Sequence, residues 1–257
     1  MPIDLSRFAL TGRRALVTGS SRGIGHAIAE AFASAGATVV LNGRDLEQVG
    51  AAVEDLRAAG HAAHGVGFDV TSADSIADGV AWCDENLGGL DIVVNNAGMQ
   101  HRAPLEDFPL DAFERMLATH VTGTFAVSRA AARGMIARGT GKIINICSVL
   151  SEHARPTVAP YGAAKAAIAN LTRGMATDWA KHGLNVNAIA PGFFKTELNA
   201  ALVADEKFNA WIESRTPMQR WGEVEELGGA AIFLASDAAR FVNGHILYVD
   251  GGFTATV

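Results

Sequence analysis

The chain has 257 residues, of which 49% are hydrophobic, and its formal net charge at pH 7 is −6. This composition supports a large buried core, and the acidic balance excludes the basic surface typical of nucleic-acid binding. Two cysteines and eight scattered histidines show no ligand spacing, so we expect no metal site. No apolar run approaches the roughly 18 residues of a membrane span, and the N-terminus lacks a signal-peptide pattern. We therefore expect a soluble, cytoplasmic protein without membrane contact.

Apolar, β-rich runs alternate with helical patterns along the whole chain. Several runs are apolar at successive positions, which is typical of strands buried on both faces. Strands joined by helical crossovers predict an α/β fold: a doubly wound parallel sheet with helices on both faces, in one domain over residues 1–257. The predicted strands are 14–18, 38–42, 62–70, 90–94, 141–148, 185–190 and 245–249.

The first strand is followed by a glycine-rich turn and then by a helical pattern. Gly19, Gly23 and Gly25 lie in this turn. Glycines permit a tight turn, a close approach to a pyrophosphate and close packing of the helix on the sheet. The N-terminus of the helix then offers free N–H groups and a positive dipole end. This sequence of strand, glycine-rich turn and helix predicts a phosphate-binding turn.

Ser148, Tyr161 and Lys165 are candidates for proton-transfer chemistry. Tyr161 and Lys165 open a helical pattern and lie one turn apart on one face. A phenol titrates near ~10, and an adjacent ammonium lowers its pKa by favouring the phenolate. Ser148 ends an apolar strand, so its hydroxyl is placed to face the same space. A hydroxyl donor beside a proton-exchanging phenol suits the interconversion of a carbonyl and an alcohol.

Five motifs in register resemble the short-chain dehydrogenase/reductase family, from about Leu10 to Gly252. The resemblance implies a sheet of order 3-2-1-4-5-6-7, a nicotinamide cofactor, hydride transfer to or from a CH–OH group, and a homotetramer. It also implies that Tyr161 is the general acid/base, Lys165 its electrostatic partner and a ribose ligand, and Ser148 the donor to the substrate oxygen. The motifs are TGSSRGIG at 18–25, Asp69-Val70, NNAG at 95–98, the Ser148/Tyr161/Lys165 set and Pro191-Gly192.

The end of the second predicted strand favours NADP over NAD. In dinucleotide folds, an acidic residue at this position binds the ribose 2′-hydroxyl of NAD. Here Asn42 and Gly43 stand in its place and Arg44 follows directly, whereas Asp45 comes too late in the chain. Guanidinium groups without a carboxylate favour a 2′-phosphate. We therefore expect NADP, with NAD possible, and Arg44 as the main determinant.

The remaining cofactor-binding residues follow from the family resemblance. The glycine turn implies phosphate contacts, Asp69 lies near the adenine, and the NNAG loop lies beneath the adenine ribose. The segment after the sixth strand implies contacts to the nicotinamide. Together the predicted cofactor site contains Gly19, Ser21, Arg22, Gly23, Ile24, Gly25, Arg44, Asp69, Val70, Asn95, Ala97, Gly98, Tyr161, Lys165, Pro191, Gly192 and Thr196.

His120 departs from the family pattern. The family carries an asparagine at this position, in a helix after the fourth strand, where it holds a water leading from the lysine to solvent. A neutral imidazole both donates and accepts hydrogen bonds, so His120 is a candidate for the same proton relay. It can also shift the pH profile, since histidine titrates near neutrality. The alternative is a histidine that only fills the helix face.

The predicted rim of the site is polar and partly cationic, which favours a polyhydroxy acid as substrate. Arg102 follows the NNAG motif, Glu152, His153 and Arg155 follow Ser148, and Lys195 follows Pro191-Gly192. We expect Arg102 and Glu152, with Ser148 and Tyr161, to bind the substrate. Residues 192–221 carry large apolar side chains, which suits either a lid over the substrate or a fixed helical excursion with its aromatics packed inward.

Two rival interpretations remain open from the sequence. Another enzyme of the same fold, such as a 3-oxoacyl-carrier-protein reductase or a sugar-alcohol dehydrogenase, carries the same motifs. The second rival is a catalytically idle dinucleotide-sensing or scaffold protein. Loss of the tyrosine or the lysine would indicate that second class, and this chain has both.

Overall fold

The apolar runs of the sequence fold into one parallel sheet. The computed structural model describes residues 4–256, apart from the side chain of Leu198. Within that range, seven strands pair in the order β3-β2-β1-β4-β5-β6-β7, which confirms the expected fold class. The strands are β1 (Arg14–Val17), β2 (Thr38–Gly43), β3 (Ala63–Gly67), β4 (Ile92–Asn95), β5 (Gly141–Ile146), β6 (Leu184–Pro191) and β7 (Ile246–Val249).

Successive strand residues face opposite layers of helices, which explains the continuous apolar runs. The helices are α1 (Gly23–Ser34), α2 (Leu46–Ala58), α3 (Ala73–Leu87), α4 (Leu110–Leu117), α5 (Gly123–Arg138), α6 (Ala159–Trp179), α7 (Ala200–Val203), α8 (Glu206–Arg215) and α9 (Gly228–Ala235). In β1, Ala15 and Val17 pack on one face with α1, α2 and α9, whereas Leu16 packs on the other with α3, α5 and α6.

The third strand is shorter than the sequence pattern predicts. It ends at Gly67, whereas the apolar run continues to Val70. The side-chain amide of Asn42 donates to the carbonyls of Val66 and Phe68, both at 3.2 Å. These bonds direct the chain away from the sheet at the point where Asp69 begins the next turn.

The sheet order reverses between β1 and β4, and this reversal positions the site. From β1 the chain proceeds outward to β3 and then returns to the opposite side of β1 at β4. Crossovers on either side of such a switch diverge, which opens a crevice at the carboxyl ends of the two strands. The glycine turn follows β1 and the NNAG loop follows β4, so both lie at this crevice.

Residues 192–221 form a helical excursion whose aromatic side chains pack together. It contains α7, α8 and a 3-10 turn at Glu197–Asn199. Phe193 makes edge contacts with Phe208, Trp211 and Trp221, with ring centroids 5.9–6.0 Å apart. The ring of Phe253, after β7, lies 5.3 Å from Phe193. This inward packing matches the second of the two expected arrangements.

Candidate active site

One cleft at the carboxyl edge of the sheet collects most of the predicted site residues. Its volume is about 890 Å³, within the range of clefts that bind small molecules and cofactors. Of the predicted residues, Gly25, Asn95 and Glu152 do not line it. Those that do are Gly19, Ser21, Arg22, Gly23, Ile24, Arg44, Asp69, Val70, Ala97, Gly98, Arg102, His120, Ser148, Tyr161, Lys165, Pro191, Gly192 and Thr196.

The glycine turn has the geometry of a phosphate cradle. Gly19 has φ +62°, and a Cβ there would lie 2.8 Å from the Cα of Ala97. At Gly25, a Cβ would lie 2.5 Å from the carbonyl oxygen of Gly19. This glycine therefore lets α1 pack closely against the turn, and it does not line the cleft. Gly23 has φ +60° and begins α1 with open space around it, and Arg22 makes no side-chain capping bond there. The first N–H groups of α1 therefore remain available to an anion.

The NNAG loop holds the glycine turn in place through a residue that the sequence analysis missed. Asn96 donates from its side-chain amide to the carbonyls of Thr18 at 2.9 Å and Gly19 at 2.8 Å. Asn95 is buried and donates to Ser128 and Asn145 on neighbouring elements, both at 2.8 Å. Asn95 thus has a structural role. The second asparagine of the motif was the available signal for Asn96.

The end of β2 presents one cationic side chain, Arg44, to the cleft and no free carboxylate in the ribose position. Asn42 is buried, with its amide bound to the turn after β3. Asp45 caps α2 by accepting from the N–H groups of Glu47 and Gln48. Arg44 lines the cleft, and its charge contributes to lowering the pKa of the Asp69 carboxyl, after the hydrogen bonds from Thr71. These positions fit a 2′-phosphate.

Arg22, the second candidate for the 2′-phosphate, has a partner on the excursion. Its guanidinium lies 3.2 Å from the carboxylate of Glu197, and both side chains are mostly exposed. Exposed pairs of this kind contribute little free energy. The contact therefore leaves Arg22 free to exchange Glu197 for a phosphate.

Helix α6 places Tyr161 and Lys165 beside Ser148, as predicted. The ammonium nitrogen of Lys165 lies 5.5 Å from the centre of the Tyr161 ring and donates to the carbonyl of Ile146 at 2.6 Å. Burial lowers the pKa of Lys165 to about 8. Burial also raises the pKa of Tyr161 to about 12, although a hydrogen bond with Ser148 opposes this shift. The expectation that the adjacent ammonium lowers the pKa of Tyr161 is therefore wrong for this environment, because burial dominates. The Ser148 hydroxyl accepts from the N–H of Leu150 at 3.1 Å, which leaves its own proton free to donate.

His120 lies beside Tyr161 in a local break of the helical pattern. A π-helical turn at Ala118–Thr122 joins α4 to α5 and contains His120. The two rings meet edge to face, with centroids 5.5 Å apart. The Nε2 atom of His120 lies 2.8 Å from the carbonyl oxygen of Met99 and 3.2 Å from the Met99 nitrogen. A Cβ at Gly98 would lie 2.5 Å from this imidazole, so the NNAG glycine makes room for it.

The imidazole of His120 is neutral in this environment. Burial, with a smaller effect of the Lys165 charge, lowers its pKa to about 3. The expected influence of a histidine titrating near neutrality is therefore wrong for this site. A neutral ring still accepts or donates one proton in a relay, and its Nδ1 is buried without a hydrogen-bond partner.

The substrate end of the cleft contains two arginines of the predicted cationic rim, Arg102 and Arg155. Arg102 is exposed and donates to Asn199 at 3.4 Å, whereas Arg155 is half-buried under Phe208. Glu152 is exposed outside the cleft lining, and its carboxylate acts with burial to raise the pKa of Tyr248. The structure therefore does not bring Glu152 together with the other predicted substrate ligands.

Several buried polar atoms of the cleft have no protein partner. They include the Thr196 hydroxyl, the Gln100 side-chain oxygen and the Arg155 Nε. Buried polar groups in proteins are nearly always hydrogen-bonded, so this concentration indicates a site shaped for ligands. Together with the phosphate cradle, it fits a dinucleotide in the crevice and a polar substrate beside it.

The described residues contain neither a metal-binding cluster nor a helix able to span a membrane. In residues 4–256, no group of three histidine, cysteine, aspartate or glutamate side chains is arranged to hold a metal ion. No helix in the described range has the length and apolar character needed to cross a membrane.

Known proteins resemble this chain over almost its full length. A family model described as enoyl-(acyl carrier protein) reductase matches residues 19–254. The gluconate 5-dehydrogenase of Gluconobacter oxydans (strain 621H) is 54% identical, covering 97% of this chain and 98% of that protein. The cis-4-hydroxycyclohexanecarboxylate dehydrogenase of Sinomonas cyclohexanicum is 42% identical, covering 96% and 98% respectively.

A solved structure shows the same similarity in three dimensions. The crystal structure of a gluconate 5-dehydrogenase from Burkholderia cenocepacia J2315, in complex with NADP and tartrate, has a TM-score of 0.96 and 52% identity. The match covers 98% of this chain and 99% of that one. Since a family model and relatives of 52–54% identity match almost the whole chain, the chain belongs to the short-chain dehydrogenase/reductase family of NAD(P)-dependent oxidoreductases.

Proposed function

We propose that the protein catalyses the reversible NADP-linked oxidation of D-gluconate to 5-keto-D-gluconate. The observation that carries the proposal is the placement of Ser148, Tyr161 and Lys165 in a cleft whose substrate end contains Arg102 and Arg155. Proton-transfer groups beside unpaired guanidinium groups suit a hydroxy acid. The similarity to a gluconate 5-dehydrogenase over nearly the whole chain supports this substrate class.

In the proposed oxidation, the C5 hydroxyl lies between Ser148 and Tyr161. The phenolate of Tyr161 removes the hydroxyl proton. A bound nicotinamide would supply the hydride acceptor for C5. Ser148 donates a hydrogen bond to the substrate oxygen and fixes its position. The ammonium of Lys165 stabilises the phenolate, and in the reverse direction the phenol of Tyr161 returns the proton.

The substrates in the names of the two relatives have the same number of bonds between the reacting carbon and the carboxylate carbon. In gluconate the C5 carbon is four bonds from the carboxylate carbon. In 4-hydroxycyclohexanecarboxylate the carbinol carbon is also four bonds from the carboxylate carbon. We propose that a cation at a fixed distance from Tyr161 selects this carbon, with Arg102 as the first candidate because it projects from the loop after Gly98.

The proposal also names the cofactor and the number of subunits. The relative solved in complex with NADP supports this cofactor, and we assign the 2′-phosphate to Arg44 and to Arg22, which would give up its contact with Glu197. We propose a homotetramer, with the exposed side chains of Phe125 and Phe241 covered by neighbouring subunits. The cytoplasmic location stays a prediction.

A substrate panel tests the proposal against its rivals. The purified protein is incubated with NADP or NAD and, in turn, sugar acids, neutral polyols and 3-hydroxyacyl thioesters, and the absorbance of the reduced cofactor is followed. We expect turnover of gluconate, and Arg102→Ala should raise the KM for gluconate with little effect on a neutral polyol. Turnover of acyl thioesters or neutral polyols alone would overturn the gluconate assignment, and an inert protein would favour a cofactor-sensing role.

A further inference from the structure

Arg155 occupies an unusual position for a surface-loop arginine. It follows the 3-10 turn at Val149–Ser151 that Ser148 caps, and it lines the same cleft as Ser148 and Tyr161. Its guanidinium carbon lies 5.0 Å from the centre of the Phe208 ring. The residue is only partly exposed, and its Nε is shielded from solvent without a hydrogen-bond partner.

Stacking on Phe208 does not account for all of this arrangement. A cation–π contact uses the flat face of the guanidinium and leaves its in-plane N–H groups available. One of these, the Nε–H, is buried, and an unsatisfied buried donor costs free energy. An acceptor in the plane of the guanidinium would remove this cost.

The charge around Arg155 has the sign that attracts an anion. In the described part of the chain, no carboxylate forms an ion pair with Arg155. Burial, with a smaller effect of the like charge of Arg102, lowers the pKa of Arg155. Two guanidinium groups facing one cleft repel each other until an anion lies between them.

We propose that Arg155 binds the substrate's carboxylate through its free in-plane edge and forms the buried half of a two-arginine site whose outer half is Arg102. The inference rests on the proposed function, because it takes a sugar acid as substrate. A fork of two parallel N–H···O bonds fixes both the distance and the direction of the carboxylate. Arg155, together with Arg102, therefore determines which carbon of the substrate reaches Tyr161.

The proposal is tested by comparing an acid with its neutral counterpart. D-Gluconate and D-glucitol differ at C1, where a carboxylate is replaced by a CH2OH group. KM and kcat are measured for both substrates, and for NADP, with Arg155→Met and Arg155→Lys. Arg155→Met should raise the KM for gluconate about 10- to 150-fold, the range for loss of hydrogen bonds to a charged group. The KM for NADP and the kinetics with D-glucitol should change less than about twofold.

Arg215 offers a matched control. Its guanidinium carbon lies 5.8 Å from the centre of the Phe253 ring in the same aromatic cluster, but the residue does not line the cleft. Arg215→Met should leave the KM for gluconate within about twofold of the wild type. Arg155→Lys keeps the charge but loses the fork, so it should show an acid-specific rise in KM even if Arg155→Met does not fold.

The outcomes separate this inference from the proposed function. An unchanged KM for gluconate in the Arg155 variants, or an equal loss with gluconate and D-glucitol, would overturn the role of Arg155 alone. If the wild type oxidises only D-glucitol, the proposed function fails, and gluconate is then tested as an inhibitor. Inhibition of the wild type but not of Arg155→Met would still support the carboxylate site, whereas no inhibition of either would overturn it.

Discussion

Tyr161 and Lys165 are buried, and burial disfavours the charged form of each side chain. This shift determines the protonation state from which each residue acts. The Tyr161 phenol is a proton donor at neutral pH, since its pKa is raised to about 12. Oxidation needs the phenolate, so a neighbouring positive charge must stabilise it. Lys165 is held at that place by its bond to Ile146, and its pKa of about 8 keeps it largely protonated at pH 7.

Tyr161→Phe should reduce kcat by about 10²- to 10⁴-fold while the dissociation constant for NADP stays within a few-fold of the wild type. Only the proton-transferring hydroxyl is lost, and general acid/base groups typically contribute this much. Steady-state kinetics and a binding titration measure the two effects. Activity within about tenfold of the wild type would assign proton transfer to another group.

His120→Asn should make the protein less sensitive to acid. The pKa of His120 is lowered from 6.5 to about 3, so the native state resists protonation and the unfolded state does not. Its contribution to stability is therefore complete above pH 6.5 and is lost as the pH falls toward 3. Between pH 7 and 5 this loss amounts to about 2 kcal/mol of unfolding free energy, and the asparagine variant should not show it.

Urea unfolding at pH 7 and pH 5 measures this difference. His182→Asn is the control, since His182 is exposed and does not line the cleft. An equal loss of stability in the wild type and His120→Asn would show that His120 does not carry the acid sensitivity. The activity of His120→Asn at pH 7 should stay close to the wild type, because the substitution restores the family's residue.

At the scale of elements, the functional loops are positioned by the ends of β1 and β4 and by the start of α1. The glycine turn after β1 and the NNAG loop after β4 meet because the sheet order reverses between these strands. Asn96 joins the two loops through its bonds to Thr18 and Gly19. The sequence predicted this arrangement well, because apolar runs and glycine spacing are local signals.

Other elements depended on contacts between distant residues and were not predictable from local pattern. The π-helical turn around His120 accommodates an imidazole against Gly98 and Tyr161, which only the fold brings together. Glu152 and Arg155 are three residues apart in one polar loop, yet only Arg155 reaches the cleft. Their sequence pattern does not distinguish them, since the direction of a loop side chain depends on tertiary packing.

Substituting Arg44 by leucine should weaken NADP binding much more than NAD binding. Only NADP has the 2′-phosphate, and removing a charged hydrogen bond to it should raise its dissociation constant about 10- to 100-fold. Fluorescence titrations with both reduced cofactors measure the effect, and Arg7→Leu, which does not line the cleft, is the control. Equal losses for the two cofactors would give Arg44 a structural role.

At the scale of the whole molecule, two exposed phenylalanines are candidate contacts for the proposed homotetramer. Phe241 is fully exposed and Phe125 is 42% exposed in the single chain. Burying such apolar surface against another subunit would stabilise the assembly. The proposed homotetramer would cover them, and it would present several copies of the same cleft.

Light scattering should give a mass of four times the 26.8 kDa chain at micromolar concentration. Phe241→Asp should lower that mass, because burying an unpaired carboxylate in a subunit contact is unfavourable. A single-chain mass for the wild type would contradict the tetramer, and an unchanged mass for Phe241→Asp would place the contacts elsewhere.

The central claim is that Tyr161 meets C5 of a sugar acid. The most direct measurement is the carbon NMR spectrum of the product formed from D-gluconate and NADP by the wild-type protein. We predict a single product oxidised at C5, formed in equal amount with NADPH. A product oxidised at C2, or no product while the protein still binds NADP, would contradict the account.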